Sequence, residues 1–387
     1  MKRAAILLSA ALLGGCAAAP VLVEPQHLYA DARFAAPTET VDTSTLFDVS
    51  PEMRAYLRSP RYRDMVRNHG LHQGLIHSLY RDGDLKLDYD ATMTRTAAQT
   101  FETRSGNCLS LVIMTAAFAR EVGIPVTFQN VRVEETWSRQ GSLYVGSNHV
   151  NVLLTSRVIA KMSGEELKEQ YLVDFLPQAD AVRHKAVPVG EHVVVAMYAN
   201  NRAVEALARG RVADAYWWTR EALSADPGLT LAYNTLGAVY QRHGDNALAA
   251  QAFRAVLARD RNNLVAMQNL LPVLEELGSA DEAKAMRARL ASLQPDPPYH
   301  YFQLGQAAMQ REDFKAAREL FAREVARAPY NDEFHLWYAM ASLRLGETDV
   351  ARRELALAQQ TSTNASSRAR YAAKLEHMRG LPALRKR

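Results

Sequence analysis

Arg104-Ser105-Gly106-Asn107-Cys108-Leu109-Ser110-Leu111 puts a cysteine at the start of an apolar run. From Leu109 to Arg120 the chain is rich in Leu, Val, Ile, Met, Ala and Phe, and it stops at Gly123 before Pro125, the punctuation of a helix end. A buried helix is predicted, with Cys108 at its N-terminal end. Orphan backbone N–H groups and the positive end of the helix dipole favour a thiolate there, the form of cysteine that attacks a carbonyl carbon. A lone cysteine is also a common small core residue, so compartment and cysteine count bear on the choice.

Both are read at the N-terminus. Lys2 and Arg3 precede an apolar run from Ala4 to Leu13, too short to span a bilayer, and residues 1–16 read as an export signal. Leu13-Gly14-Gly15-Cys16 resembles the lipobox of bacterial lipoproteins. That resemblance implies Cys16 as the lipidated residue and, with Ala17 rather than Asp after it, an outer-membrane anchor facing the periplasm. The alternative is an ordinary secretory signal with a chance cysteine. The chain holds two cysteines. Lipid on Cys16 leaves Cys108 alone in an oxidising compartment, where an unpaired thiol is a liability unless it is used or buried.

A length of 387 residues points to two or three domains. The net charge of +4 is mild, and outside the Arg385-Lys386-Arg387 tail no basic run occurs, so nucleic-acid binding has no support. Carboxylates with calcium-loop spacing are absent from the sequence, and no metal or cofactor is expected. Residues 17–49, rich in Ala, Pro and Thr, read as a flexible tether.

Residues 50–195 form the front domain. Ser50-Pro51-Glu52 opens a helix through Met53, Tyr56 and Leu57; a second candidate runs Leu71 to Tyr80, with a turn at Arg81-Asp82-Gly83-Asp84, and a third Ala91 to Thr103. After Pro125 the period shortens to two. Val126–Val133, His149–Leu154 and Tyr171–Leu176 read as strands, with a Gly-centred turn between Trp137 and Tyr144 and a polar segment from Ser163 to Gln170. A helix carrying the thiol therefore packs on an antiparallel sheet, an α+β arrangement. His149 opens one strand and Asp174 lies toward the end of the next, so neighbouring strands bring together nucleophile, base and orienting carboxylate.

Gly106-Asn107-Cys108-Leu109-Ser110-Leu111, the helix end Ala119 to Pro125, His149-Val150-Asn151-Val152 and Val173-Asp174-Phe175 resemble the transglutaminase-like superfamily of papain-like cysteine enzymes. The resemblance covers about residues 85–180 and implies Cys108 as nucleophile, His149 as base and Asp174 as the third member. The superfamily includes proteases, amidases, amine-transferring cross-linkers and inactive members, so it implies no single reaction. For the oxyanion hole, the Cys108 N–H is one donor, and Gln99 or Trp137 are candidates for a second.

From residue 196 to 365 a different period rules. Gly210, Gly244, Gly278 and Gly346 lie 34 or twice 34 apart, with Glu312 at the missing step. Ala215, Ala249, Ala283, Ala317 and Ala351 follow the same period, as do Pro227, Arg261, Pro295 and Pro329. This resembles about five tetratricopeptide repeats, an all-α solenoid of stacked helix pairs, with a capping helix and tail over 366–387. The first unit is the weakest, with Asn200-Asn201-Arg202 in place of an apolar pair, and the junction from Asp180 to Val195 docks the solenoid on the front domain. Tyr299, Phe302, Phe334 and Trp337 are candidates for groove contacts, against the ordinary reading that such aromatics are core.

Together these readings give a papain/transglutaminase-like α+β domain followed by a repeat solenoid, in a lipid-anchored envelope protein. The leading expectation is a cysteine peptidase, amidase or acyltransferase whose repeats bind a protein or peptide. The alternative is a non-catalytic repeat scaffold carrying a retired transglutaminase-like domain.

Overall fold

Ser50 and Ser59 each accept a hydrogen bond from the backbone N–H three residues on, at Met53 and Tyr62, and each is followed by proline. Those caps start α1 (Pro51–Leu57) and α2 (Pro60–His69), and α3 (Leu71–Ile76) continues into a wider π turn at His77–Arg81. The computed structural model describes residues 25–81, 87–90, 92–132, 137–140, 143–146, 149–159, 166–175, 185–362 and 365–379. The export signal, the lipobox with Cys16 and the expected turn residues Asp82 to Asp84 lie outside the described residues.

The stretch before Cys108 differs from the expected helix over 91–103. Asp88–Tyr89 forms strand β1, and only α4 (Ala97–Thr103) is helical, because Thr96 caps it in a reciprocal box with Gln99. Ser105–Gly106 forms β2, which pairs in parallel with β1 and leads into α5 (Cys108–Glu121), capped by Asn107. Every α5 residue from Leu109 to Ala119 is buried. That explains a run with little amphipathic period: the helix is enclosed on all sides.

The sheet has strand order β7-β6-β3-β8 and is antiparallel throughout, from β3 (Val126–Arg132), β6 (His149–Ile159), β7 (Glu166–Val173) and β8 (Lys185–Val189). A hairpin, β4 (Trp137–Gln140) with β5 (Leu143–Gly146), stands apart from it. The strand β7 takes in Glu166–Gln170, which the sequence assigns to a polar segment. As an edge strand, its Glu169 and Gln170 side chains point to solvent and show no apolar alternation. The centre of the sheet, Phe128, Val150, Val152 and Leu154, packs with Val112, Ile113 and Ala116 of α5 in one core.

The solenoid begins at Glu191, inside the segment the sequence leaves to the front domain, because Gly190 starts the helix there. Its helix pairs are α6 (Glu191–Ala208) with α7 (Val212–Ala225), α8 (Thr230–His243) with α9 (Asn246–Arg259), and α10 (Leu264–Glu276) with α11 (Ala280–Leu293). Next come α12 (His300–Gln310) with α13 (Phe314–Arg327) and α14 (Asp332–Arg344) with α15 (Thr348–Thr361), closed by α16 (Ala365–Arg379). The second helices start at Val212, Asn246, Ala280, Phe314 and Thr348, each 34 residues after the last. Within a pair the helices touch through glycine: a Cβ on Gly237 would sit 2.5 Å from the Phe253 ring.

Residues 25–49 are not a flexible tether. They form a strap that crosses the first repeats, where Leu28 and Phe34 are buried and the Phe34 ring stacks on Tyr216 at 4.0 Å between centroids, and ends on the front domain, where buried Leu46 accepts from the Ala97 N–H of α4. The repeats supply the polar partners. Thr38 donates through its N–H and its hydroxyl to Asp214, both at 2.6 Å, and the Glu39 carboxylate accepts from Arg202, Arg211 and Trp218. Three apolar anchors spaced without any regular period leave a composition that looks like a linker, and the order comes from what they meet.

The four groove candidates are corrected as well. Tyr299, Phe302 and Phe334 are buried, and Trp337 packs against them with Phe321, in a core cluster between α12, α13 and α14. Phe302 and Phe334, for example, lie 5.1 Å apart.

Candidate functional site

Asn107 positions the cysteine. Its Oδ1 accepts from the N–H of Ser110 at 2.9 Å and from the Ser110 hydroxyl at 2.8 Å, while its Nδ2 donates to the Thr94 hydroxyl at 2.8 Å. The cap is thereby tied to the loop before α4, and the N–H of Arg95 closes the loop by donating to Ser110 Oγ at 2.9 Å. A Cβ on Gly106 would sit 2.7 Å from Ser110 Cβ, so the approach to the cysteine needs a glycine. Cys108, a free thiol, is half-buried at the first turn of α5. A thiol at this end of a helix meets the orphan N–H groups and the favourable end of the dipole.

The sheet brings up the other two residues. Register pairs Val152 with Val173, so Asp174, one residue on, lies across from Asn151, and His149 shares that face two residues away. His149 Nε2 lies 2.6 Å from Asp174 Oδ1, and Asn151 Nδ2 donates to Asp174 Oδ2 at 2.9 Å. His149 is 5% exposed and the Asp174 side chain 9%, so this pair lies in a low-dielectric pocket. A carboxylate there accepts, which puts the ring proton on Nε2 and leaves Nδ1 with the lone pair that can take a second proton.

The electrostatics of the ring follow from this packing. Burial disfavours the imidazolium, but hydrogen bonds to Asp174 and to Cys108 outweigh it, raising His149 to about 9. Cys108 and Asp174 thus both act on the His149 ring, the carboxylate through a direct hydrogen bond. A thiol, an imidazole and a carboxylate so placed can form a thiolate–imidazolium pair, attack a carbonyl and return the proton to a leaving group.

Of the two side chains named for the oxyanion hole, Gln99 is excluded by its place. Its Oε1 accepts from the Thr96 N–H at 3.1 Å and completes the cap of α4, and the residue is exposed. The Trp137 side chain lies outside the described residues. Two groups missed from sequence stand closer. Asn151 braces Asp174, and the Tyr89 hydroxyl lies beside the backbone N–H and the thiol of Cys108, which both act on its proton. The signal for Asn151 is its two-residue spacing from His149; for Tyr89 there is none, since the pairing of β1 with β2 is two residues long and leaves no period.

The solenoid reaches this site at two places. Thr94 donates its N–H to Glu205 of α6 at 2.6 Å, and Arg368 of α16 donates to the Tyr89 carbonyl at 3.2 Å. The hairpin strand β5 also lies against α10. Among the described residues no cluster of His, Cys, Asp and Glu has the make-up of a metal site. No described helix is long and apolar enough to cross a membrane.

No family model matches the chain, and no curated protein does. Similar solved structures include a thermophilic tetratricopeptide-repeat protein of Thermus thermophilus, 19% identical, covering 47% of this chain and 99% of that one at a TM-score of 0.30. The pilF protein of Pseudomonas aeruginosa is 22% identical, over 49% of this chain and 89% of its own, at 0.28. YrrB, a tetratricopeptide-repeat protein described as having an unusual peptide-binding site, is 20% identical over 46% of this chain and 92% of its own, at 0.26.

Proposed function

We propose that this chain is a lipid-anchored envelope cysteine hydrolase or acyltransferase acting on an amide of a peptide or protein, through a transglutaminase-like Cys108, His149, Asp174 site. The observation that carries the reading is the His149 ring, held by Asp174 at 2.6 Å and set beside the thiol at the head of α5, which acts on its proton. His149 takes the thiol proton, and the thiolate adds to the carbonyl carbon as the C=O electron pair moves onto oxygen. The tetrahedral adduct collapses, and the imidazolium delivers its proton to the departing amine, leaving a thioester on Cys108. Water, or a second amine, then attacks that thioester with its proton drawn to His149, and the thiol is restored.

The solenoid's part in this reading is to hold the protein or peptide partner across the site, at the face where α16 meets β1 and α10 meets the β4–β5 hairpin. The lipid belongs to Cys16. Eight residues separate Cys16 from the strap at Pro25. Fully extended they reach at most about 30 Å, which would keep the first repeats close to the outer membrane on its periplasmic side.

The test is the pH dependence of iodoacetamide alkylation in the chain from Ala17 onward, beside His149→Ala. Rapid alkylation near pH 6 that is lost in the variant is the expected result. A rate that rises only near the ordinary thiol range of about 8.5, with or without His149, would make Cys108 a structural residue and leave a non-catalytic scaffold as the function.

A further inference from the structure

A thiolate adding to a carbonyl creates an oxyanion, and one backbone N–H at the start of α5 is a thin provision for it. Paired donors aimed at the developing charge are worth far more than one. Gln99 is committed to its helix cap. What does stand beside the cysteine is Tyr89. The parallel pairing of β1 with β2 sets Tyr89 opposite Gly106, two residues before the nucleophile, and the Asp90 N–H donates to the Gly106 carbonyl at 3.1 Å. The same backbone is held from its other side by Arg368 on the Tyr89 carbonyl. With its main chain fixed on two sides, opposite Gly106, the ring sets its hydroxyl beside the N–H and the thiol of Cys108. A substrate's carbonyl oxygen must lie between that N–H and the hydroxyl.

We propose that the Tyr89 hydroxyl is the second oxyanion donor of this site, a catalytic residue that hydrogen-bonds the tetrahedral adduct beside the Cys108 N–H. This rests on the reading of Cys108 as nucleophile. In the free site the hydroxyl stands beside the Cys108 N–H. When a carbonyl enters, its oxygen takes that N–H, and the hydroxyl turns its own proton toward the oxygen. The phenol proton stays on Tyr89 throughout: charge appears on the substrate oxygen as the thiolate adds and leaves it as the adduct collapses. A donor in this role must keep its proton at working pH, and burial together with the neighbouring thiol pushes the Tyr89 phenol above its ordinary range. The group is therefore neutral wherever the thiolate–imidazolium pair exists.

Two reagents separate this role from a structural one. Acylation by p-nitrophenyl acetate passes through an oxyanion, whereas iodoacetamide reacts by displacement at a saturated carbon and makes none. In Tyr89→Phe the burst rate with the ester should fall about 10²–10³-fold, the usual loss of one oxyanion donor, with iodoacetamide alkylation within about twofold of wild type. The alkylation arm also reports whether the variant keeps a folded site. An unchanged ester burst in Tyr89→Phe overturns the inference, as does a parallel fall of both rates, which would make Tyr89 a support of the thiol alone. A wild-type chain with rapid, His149-dependent alkylation and no ester burst overturns it too, while leaving the nucleophile reading standing. Slow alkylation indifferent to His149 would instead remove that reading and this inference with it.

Discussion

The backbone N–H of Thr94 donates to the Glu205 carboxylate at 2.6 Å, which ties the loop that braces the cysteine helix to the first helix of the repeats. Thr94 is 1% exposed, and its hydroxyl holds the Asn107 cap. Glu205→Ala strands a buried donor, and a loss of about 1–3 kcal/mol in urea unfolding is expected. Glu205→Gln keeps an oxygen for Thr94 and should cost less. Burial raises Glu205 against the hydrogen bonds from Thr94 and the charge of Arg202. A carboxyl raised in the fold favours the folded state at acid pH and loses that contribution as pH climbs through its folded value. The Gln variant should flatten this part of the stability profile.

Asp174 sets both the position and the charge of His149. In Asp174→Asn an amide faces Nε2, and the tautomer with its proton on Nε2 loses its acceptor. By comparison with a buried hydrolase triad, a drop of about 10⁴-fold in acylation rate is expected with the fold retained. Asn151→Ala removes one bond to the carboxylate and should act in the same direction, less strongly. His149, at about 9, lies above its unfolded value of 6.5. Its contribution to stability is present below pH 6.5 and fades between there and about 9. Thermal unfolding of Asp174→Asn across that window should show a shallower slope than wild type.

How much of this was legible depended on whether the signal was local. The start of α5 could be read from Asn107, Cys108 and the apolar run, because capping and burial leave their mark within one turn. The repeat length could be read from glycine and alanine, because helix pairs touch at fixed offsets. The strap could not: Phe34 is an isolated aromatic in a linker-like stretch, and its order comes from Tyr216, 182 residues away. Tyr89 was hidden for the same reason, since a two-residue parallel pairing has no period to detect. Strand β8 was missed because its residues Ala186 to Pro188 are exposed on an edge and include a proline.

His335 and Glu354 form a buried pair in the last repeat, 2.9 Å apart and 3% and 5% exposed. Burial opposes charge on both, yet their mutual bond wins: His335 is raised and Glu354 lowered. The signs combine into a window. The histidine stabilises below its unfolded value of 6.5 and less as pH rises; the glutamate stabilises above 4.5 and less as pH falls. Protection factors for amide exchange in α14 and α15, with the intrinsic pH dependence divided out, should therefore be highest between those values and fall toward pH 8. In His335→Gln the alkaline limb should disappear; a limb that persists would place its origin elsewhere.

Glu312 stands where four other repeats carry glycine, with φ at 61° in the left-handed region. A side chain costs about 1–2 kcal/mol in such a conformation, while glycine loses about 0.4–1 kcal/mol through the freedom of the unfolded chain. The difference favours Glu312→Gly, and a gain of about 0.5–1 kcal/mol in the C-terminal repeats is expected. Urea unfolding followed at Trp337 reports on that region, and a midpoint that falls would mean that Glu312 makes a compensating contact.

The strap joins the first described residues of the chain to the repeats. Phe34 stacks on Tyr216 and touches Tyr240 and His243, while Glu39 is lowered to about 2, burial being outweighed by Arg211, Trp218 and Arg202. The apolar anchor and the ionic one sit five residues apart and act on neighbouring helices. Phe34→Ala should cost about 3 kcal/mol, the low end for a buried phenylalanine, and make residues 25–40 the first site of limited proteolysis. Glu39→Gln should weaken the strap less at neutral pH, since the pair with Arg211 is partly exposed. A synthetic peptide of residues 25–42 should then bind the Phe34→Ala chain in trans, displace its strap and hasten cleavage there. Peptide binding with faster cleavage would identify the first repeats as a groove that the chain fills with its own N-terminal segment. Protection unchanged in Phe34→Ala would mean that Thr38 and Glu39 hold the strap without the ring.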